Sequence, residues 1–112
     1  VLLNPSKKSK VSTSEIFGPV VCIYGYQDIN DAITDANSLD VSFQASVFSD
    51  DISKAMDIAK RLEASAVMIN DYTTFRVDWM PFAGRKHSGY GIGGIGYSMK
   101  DMLEHKMLVI KD

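Results

Sequence analysis

The feature that most restricts the fold is an alternation of strand and helix patterns through the middle of the chain. Runs of β-branched, aromatic or other apolar residues at 20–26, 44–48 and 66–69 predict strands, the last of the type buried in parallel sheets. Apolar residues at helical spacing follow Asp28 and the run 49–51, which suit helix N-caps. Strand–helix–strand–helix–strand order is typical of layered α/β folds with right-handed crossovers. We therefore predict an α/β fold, a three-layer fragment with a mostly parallel sheet.

The periodicity also predicts which helix residues are buried and how the chain continues after the third strand. The two helix stripes comprise Ile29, Ala32, Ile33 and Ala36, and Ile52, Ala55, Met56, Ala59 and Leu62. Residues 70–90 have neither period and predict a long loop, and its aromatic residues favour a functional loop over a disordered one. A helix is expected at about 95–103 and a closing strand at 106–110. No repeat or linker divides residues 1–112, so we predict a single domain or domain fragment.

Composition restricts the class of protein and its partners. The 112 residues are 46% hydrophobic, which is enough for one small domain. The net charge of −2 argues against nucleic acid as a main partner. No apolar run approaches the ~20 residues of a membrane span and no signal peptide is visible, so no membrane partner is expected. The single cysteine, Cys22, excludes an internal disulfide and is compatible with a reducing cytosol, which predicts a cytoplasmic location.

A carboxylate and an aromatic ring lie next to a Gly-Pro corner in the segment EIFGPV, residues 15–20. Gly and Pro restrict such a corner, because Gly adopts backbone angles closed to other residues and Pro fixes its own φ. A carboxylate held there, Glu15, can accept hydrogen bonds from both hydroxyls of a ribose, and Phe17 can offer a flat apolar surface to a ring. Alternatively, Ser12 and Glu15 form a capping box on a short helical turn. The residues alone leave both interpretations open.

Three other features resemble sites but favour structural roles. Cys22 lies in an apolar strand with no basic neighbour to lower its pKa, which indicates a core residue and not a nucleophile. Residues 91–96 match G-x-G-x-x-G by letters, but no strand precedes them and no βαβ unit surrounds them, so we predict no dinucleotide fingerprint. His87 and His105 have no partners at metal-ligand spacing, so no metal site is expected.

Several segments together resemble the C-terminal part of the aldehyde dehydrogenase family. They are EIFGPV, a helix ending at Asn37, AVMIN at 66–70 and PFAGRKHSGYG at 81–91, in the family's order and at similar spacings. The resemblance implies an enzyme that uses NAD or NADP to oxidise an aldehyde to a carboxylic acid. It implies that Glu15 holds the nicotinamide ribose and that Phe17 packs beside the nicotinamide. It further implies that Phe82 belongs to the wall of the substrate tunnel.

The same resemblance extends to partners. In this family the loop that carries Arg76 borders the aldehyde entrance, and the final strand joins an arm that adds to a neighbouring subunit's sheet. Arg76 there would suit an anionic aldehyde, because a guanidinium binds carboxylate or phosphate with two prongs. The alternative for Arg76 is a local ion pair with Asp78. The strand implies a homodimer or homotetramer of the intact enzyme.

The chain also departs from the family pattern. Ser42, Ser65 and Ala83 stand where the family usually has Gly, and a side chain in a left-handed conformation would cost about 1 kcal/mol or more. The Gly-Gln-x-Cys context of the family's nucleophile is not found in these residues, and neither is the Rossmann half. We therefore expect no catalytic residue in this segment and no activity of the 112 residues alone. The alternative is a non-catalytic, truncated interaction module that keeps the fold.

Overall fold

The computed structural model describes all residues, 1–112, as two compact units, Val1–Leu39 and Asp40–Asp112, and each is described by itself. Parallel strand pairs occur in both units and helices accompany them, which confirms the α/β class. In chain order the elements are β1 (Leu2–Leu3), α1 (Lys10–Thr13), β2 (Cys22–Ile23), α2 (Ile29–Ala36), β3 (Val41–Ser42), β4 (Gln44–Val47), α3 (Ile52–Arg61), β5 (Ala66–Ile69), β6 (Arg85–Lys86) and α4 (Ile95–Asp101).

The first unit contains a short parallel ladder and one capped helix. β1 pairs with β2 in parallel, with Leu2 opposite Cys22. The strand expected at 20–26 is shorter than predicted because β1 offers only two residues to pair with. α2 begins after Asp28, whose carboxylate accepts a hydrogen bond from the Asn30 backbone N–H at 2.9 Å, as the N-cap prediction required. Ile33 of α2 is the buried residue of this unit.

The second unit is built around a strand–helix–strand segment. β4 and β5 pair in parallel from Gln44 opposite Ala66 to Val47 opposite Ile69. α3 connects them, and the Asp51 carboxylate caps it by accepting from the Lys54 backbone N–H at 3.0 Å. The buried side chains of this unit are Val47, Ala55, Ile58 and Met68, which come from the two strands and the helix between them.

The predicted stripe of α3 is partly wrong. Ile52 and Met56 are 60% and 44% exposed, whereas Ile58, which the stripe did not include, is buried with Ala55. α3 packs mainly against two strands, β4 and β5, so a narrow face of the helix is covered. Ala55 and Ile58 are three residues apart and therefore share that face.

The end of the chain differs from the sequence-based prediction. α4 ends at Asp101, two residues before the predicted end. Residues 106–110 form no strand in this chain, since a strand needs a partner and none is provided; the side chains of 107–110 are 81–88% exposed. The predicted pairing of this segment with a neighbouring subunit stays a prediction. None of the four helices has the length and apolar character needed to cross a membrane.

Candidate functional site

Glu15 and Phe17 lie on an exposed corner between α1 and β2. Two tight turns form the corner: the Gly18 N–H donates to the Ile16 carbonyl and the Val20 N–H donates to the Gly18 carbonyl, each at 2.8 Å. The Glu15 side chain is exposed and makes no hydrogen bond or ion pair within the chain. The Phe17 side chain is 95% exposed. Both side chains are therefore free to contact a ligand.

The capping-box alternative for Ser12 and Glu15 is wrong. Ser12 lies inside α1, which ends before Glu15, so it cannot be the N-cap of a helix that continues through Glu15. Its hydroxyl bonds instead to the Ser6 carbonyl at 2.8 Å and to the Tyr24 hydroxyl at 2.5 Å. Glu15 therefore has no capping role, and its carboxylate accepts no hydrogen bond from a backbone N–H.

Cys22 and the two histidines take the structural positions that the sequence indicated, with one difference. Cys22 lies on β2 with its Sγ 3.8 Å from the Val11 carbonyl oxygen, but it is half-buried and not fully in a core. His87 and His105 are exposed. No three His, Cys, Asp or Glu side chains lie close enough together to hold a metal ion.

Arg76 and Phe82, both predicted to contact substrate, lie in direct contact. The central guanidinium carbon of Arg76 is 4.4 Å from the centroid of the Phe82 ring, a cation–π geometry. The Phe82 ring in turn meets Phe43 edge to face, with centroids 5.0 Å apart and an interplanar angle of 75°. We call Phe43, Phe82 and Arg76 the arginine stack. The expected alternative, an ion pair between Arg76 and Asp78, is not formed.

The glycine-rich run holds the loop that carries Phe82. Phe82 and Gly93 form an antiparallel bridge with two backbone hydrogen bonds of 3.0 and 2.8 Å. Gly94 follows at φ +112°, and a Cβ placed there would lie 2.8 Å from the Met80 carbonyl oxygen. Sequence reasoning excluded a dinucleotide fingerprint here but missed this role. Positive φ values and close backbone approaches are the signal, and letter spacing does not reveal them.

The three departures from glycine do not strain the backbone. Among residues other than glycine, positive φ occurs only at Asn4, Asn70 and Lys86, so the expected cost at Ser42, Ser65 and Ala83 is contradicted. Two of these side chains make hydrogen bonds that glycine could not make. The Ser42 hydroxyl donates to the Glu63 carbonyl, and the Ser65 hydroxyl donates to the Phe43 carbonyl at 2.6 Å.

An ion pair in the second unit, between Lys86 and Glu63, lowers the pKa of the glutamate. Lys86 Nζ lies 2.6 Å from Glu63 Oε2, which connects β6 to the segment after α3. The hydrogen bond from Lys86 and its positive charge lower the pKa of Glu63, with a smaller contribution from the charge of Arg85. β6 also pairs with β3 in antiparallel, with Val41 opposite Lys86.

A sequence model described as "Aldehyde dehydrogenase family" matches residues 1–108, nearly the whole chain. The chain belongs to the aldehyde dehydrogenase family. The resemblance seen in its motifs is thereby confirmed. The chain spans 23% of the length of two curated aldehyde dehydrogenases to which it is similar.

Two curated aldehyde dehydrogenases are similar over almost the whole chain. The lactaldehyde dehydrogenase of Methanococcus maripaludis (strain C5 / ATCC BAA-1333) is 44% identical over 97% of this chain and 23% of its own length. The 3-sulfolactaldehyde dehydrogenase of Priestia aryabhattai is 36% identical over 98% of this chain and 23% of its own length.

Solved aldehyde dehydrogenase structures share the fold. Aldehyde dehydrogenase 21 from Physcomitrella patens, in complex with the reaction product succinate, has a TM-score of 0.88 at 36% identity, covering 97% of this chain and 23% of that one. Betaine aldehyde dehydrogenase from Staphylococcus aureus with NAD⁺ has a TM-score of 0.82 at 31% identity, covering 88% and 19%. The NADP-dependent glyceraldehyde-3-phosphate dehydrogenase from Bacillus halodurans C-125, with NADP, has a TM-score of 0.82 at 39% identity, covering 87% and 20%.

Proposed function

We propose that this chain works as part of an NAD- or NADP-dependent aldehyde dehydrogenase, an oxidoreductase that converts an aldehyde to a carboxylic acid. The observation that carries the proposal is the family match over residues 1–108. Solved relatives that bind NAD⁺ or NADP support the cofactor class. Within such an enzyme the segment would position the nicotinamide ribose, form part of the substrate tunnel and supply a subunit contact.

Glu15 and Phe17 fit the nicotinamide half of the cofactor. Glu15 has an exposed carboxylate with no partner in the chain, so both of its oxygens can accept hydrogen bonds from ribose hydroxyls. The Phe17 ring is 95% exposed and can cover an apolar ring face. When bound, NAD or NADP supplies the hydride acceptor. Glu15 and Phe17 would limit how far the nicotinamide can move, and small displacements of reacting groups lower rates steeply.

Arg76 and Phe82 fit an aldehyde with an anionic end. The Arg76 guanidinium lies over the Phe82 ring and is not used by Asp78, so its N–H groups can meet a carboxylate, sulfonate or phosphate. A relative named for 3-sulfolactaldehyde and a solved relative holding succinate support an anionic substrate class. Phe82 is half exposed, as a tunnel wall residue would have to be to touch the carbon chain of the substrate.

The segment at 106–110 fits a contact between subunits. Four successive apolar side chains, Met107 to Ile110, are exposed, and no strand of this chain pairs with them. An unpaired apolar segment can add to the edge of a sheet in another chain. We propose that it does so in a homodimer or homotetramer of the complete enzyme.

The alternative function, a non-catalytic interaction module, is favoured by a different observation. The chain contains no Gly-Gln-x-Cys sequence, and its one cysteine is a half-buried strand residue. We therefore propose that these 112 residues alone do not oxidise aldehydes. The two functions differ in whether the complete reading frame supplies that nucleophile.

The test compares the complete protein of the reading frame with the isolated 112 residues. Both are assayed for aldehyde-dependent reduction of NAD and NADP, with lactaldehyde and succinate semialdehyde as substrates. We expect activity from the complete protein and none from the isolated chain. A complete protein without Gly-Gln-x-Cys and without activity would leave the interaction module as the function. Activity of the isolated chain would contradict the proposed inactivity.

A further inference from the structure

The arginine stack restrains a side chain that is otherwise exposed and flexible. Arginine has many rotamers, and binding an anion normally requires one of them to be selected. Contact with the Phe82 ring, at 4.4 Å from the ring centroid, keeps the guanidinium carbon over the ring. A cation–π contact uses the charge of the guanidinium and does not require its five N–H donors, which can then bind an anion. The stack therefore favours a conformation in which Arg76 can still bind an anion.

Phe82 is itself held from two sides. Its backbone exchanges two hydrogen bonds with Gly93, and its ring meets the Phe43 ring edge to face. Edge-to-face contact is the arrangement that two aromatic rings prefer, because the positive edge of one meets the negative face of the other. Such contact restricts rotation of the Phe82 ring, and this ring is the surface on which Arg76 lies.

Phe43 is anchored to the rest of the second unit through its carbonyl. It lies between β3 and β4, and its carbonyl accepts hydrogen bonds from the Ser65 N–H at 2.8 Å and from the Ser65 hydroxyl at 2.6 Å. Ser65 immediately precedes β5. A continuous set of contacts thus runs from the start of β5 through Phe43 and Phe82 to the guanidinium.

We propose that Phe43 is a positioning residue for substrate selection, acting through Phe82 to hold Arg76 ready for the anionic end of the aldehyde. This inference rests on the proposed substrate role of Arg76. Phe43 would contact neither the anion nor the reacting carbon. Its effect would be to reduce the conformational freedom that Arg76 loses on binding, which raises affinity for anionic aldehydes only.

The test measures kcat/KM of the complete enzyme for succinate semialdehyde and for butanal, a neutral aldehyde of similar length. Phe43→Leu keeps an apolar side chain but removes the aromatic ring that contacts Phe82. We expect it to lower the succinate semialdehyde to butanal ratio about two- to fivefold, mainly through KM, because a Phe82 ring that is no longer held would forfeit its exposed cation–π contact with Arg76. Phe43→Tyr keeps the ring and should restore the ratio. Phe48→Leu is the matched control, because Phe48 is 67% exposed and lies outside the stack, so the ratio should not change.

A double variant separates this inference from the function on which it rests. If Phe43 acts through Arg76, Phe43→Leu will not change the ratio further in an Arg76→Ala background. Arg76→Ala with an unchanged ratio would overturn the anionic-substrate role itself. A lowered ratio for Arg76→Ala with no change for Phe43→Leu would overturn only the positioning role. Equal losses of both substrates for Phe43→Leu, or a loss of folding that Phe43→Tyr also shows, would assign Phe43 to packing and overturn the inference as well.

Discussion

Phe82 and Gly93 exchange two backbone hydrogen bonds, from Phe82 N–H to the Gly93 carbonyl at 3.0 Å and from Gly93 N–H to the Phe82 carbonyl at 2.8 Å. This pair closes the long loop after β5 and places the Phe82 side chain against Phe43. The glycines around it are therefore part of how the loop is held. Gly94 in particular lies at φ +112°, and a Cβ at this position would be 2.8 Å from the Met80 carbonyl oxygen.

Gly94→Ala should lower the free energy of unfolding by about 1–3 kcal/mol, because the new Cβ would be both in a left-handed conformation and too close to the Met80 oxygen. Gly96→Ala is the matched control: Gly96 lies inside α4, has no atom within 4 Å of its Cβ position and should gain about 0.5–1 kcal/mol. Denaturant unfolding of both variants gives the two free energies. Equal effects of the two substitutions would contradict the role assigned to Gly94.

Arg76→Ala should lower kcat/KM for an anionic aldehyde by an equivalent of about 1.5–3 kcal/mol, the range for a hydrogen bond to a charged group. A neutral aldehyde of similar size should be almost unaffected. Arg76→Lys should restore the loss only in part, because an ammonium cannot reproduce the two-pronged contact with an anion. Asp78→Asn should leave kcat/KM for both aldehydes unchanged, since Asp78 does not form an ion pair with Arg76. Similar losses for both aldehydes in Arg76→Ala would instead indicate that the residue only shapes the loop.

The elements that sequence patterns predicted well are those determined by local chemistry. Asp28 and Asp51 cap the helices where a short side-chain acceptor precedes an apolar period, and β5 has the predicted bounds, Ala66–Ile69. Contacts that depend on tertiary structure were harder to predict from the sequence. The face of α3 that is buried depends on how many strands it covers, and the pattern could not show that Ile58 would replace Ile52.

In the candidate site, too, the sequence indicated individual residues but not the contacts between them. The sequence and the family resemblance indicated Arg76 and Phe82 separately, but nothing in their spacing indicated that the guanidinium would lie on the ring. Phe43 comes from the segment between β3 and β4, far from both in the chain, and joins them only after folding. The sequence offered Asp78, two residues away, as an ion-pair partner for Arg76. In the structure Arg76 contacts the Phe82 ring instead.

Glu15→Ala in the complete enzyme should lower turnover more than it weakens overall cofactor affinity. The adenosine half of the cofactor would still be bound, whereas a nicotinamide that is less well placed lowers the rate of hydride transfer steeply. Steady-state kinetics together with calorimetric titration of NAD separates the two effects. Glu15→Gln is the control, because an amide keeps one acceptor and should retain part of the turnover. A loss of affinity with unchanged kcat would show that Glu15 contributes only uniform binding.

The stability that Glu63 contributes should depend on pH below neutrality. Lys86 lowers the pKa of Glu63 in the folded protein from its usual value of 4.5, so the folded state favours the charged carboxylate. The stabilisation is present above 4.5 and is lost as the pH falls from there through the lowered value in the folded protein. The difference in unfolding free energy between the protein and Glu63→Gln should therefore be constant near neutral pH and shrink in that acidic range. It should also decrease with added salt, because the pair is partly exposed. A difference that grows on acidification would contradict the assignment.

Loss of a serine hydroxyl in the second unit should change the free energy of unfolding in a direction that depends on whether the hydroxyl is hydrogen-bonded. Ser42 and Ser65 donate to the Glu63 and Phe43 carbonyls, whereas the Ser46 hydroxyl is buried on β4 with no hydrogen-bond partner. Ser42→Ala and Ser65→Ala should each lower the free energy of unfolding by about 0.5–1.5 kcal/mol, since each removes a hydrogen bond. Ser46→Ala should be neutral or raise it by up to about 1 kcal/mol, because the methyl group is buried at no cost in lost hydrogen bonds.

The comparison of the three serine variants also tests why the departures from glycine are tolerated. If Ser42 and Ser65 are kept for their hydrogen bonds, Ser42→Gly and Ser65→Gly should lose at least as much stability as the alanine variants, because glycine adds backbone freedom to the unfolded chain. If either position were strained, glycine would instead be the more stable variant. Neither position has a positive φ, so we expect glycine to be the less stable one at both. Thermal unfolding of the four variants beside Ser46→Ala decides between the two outcomes.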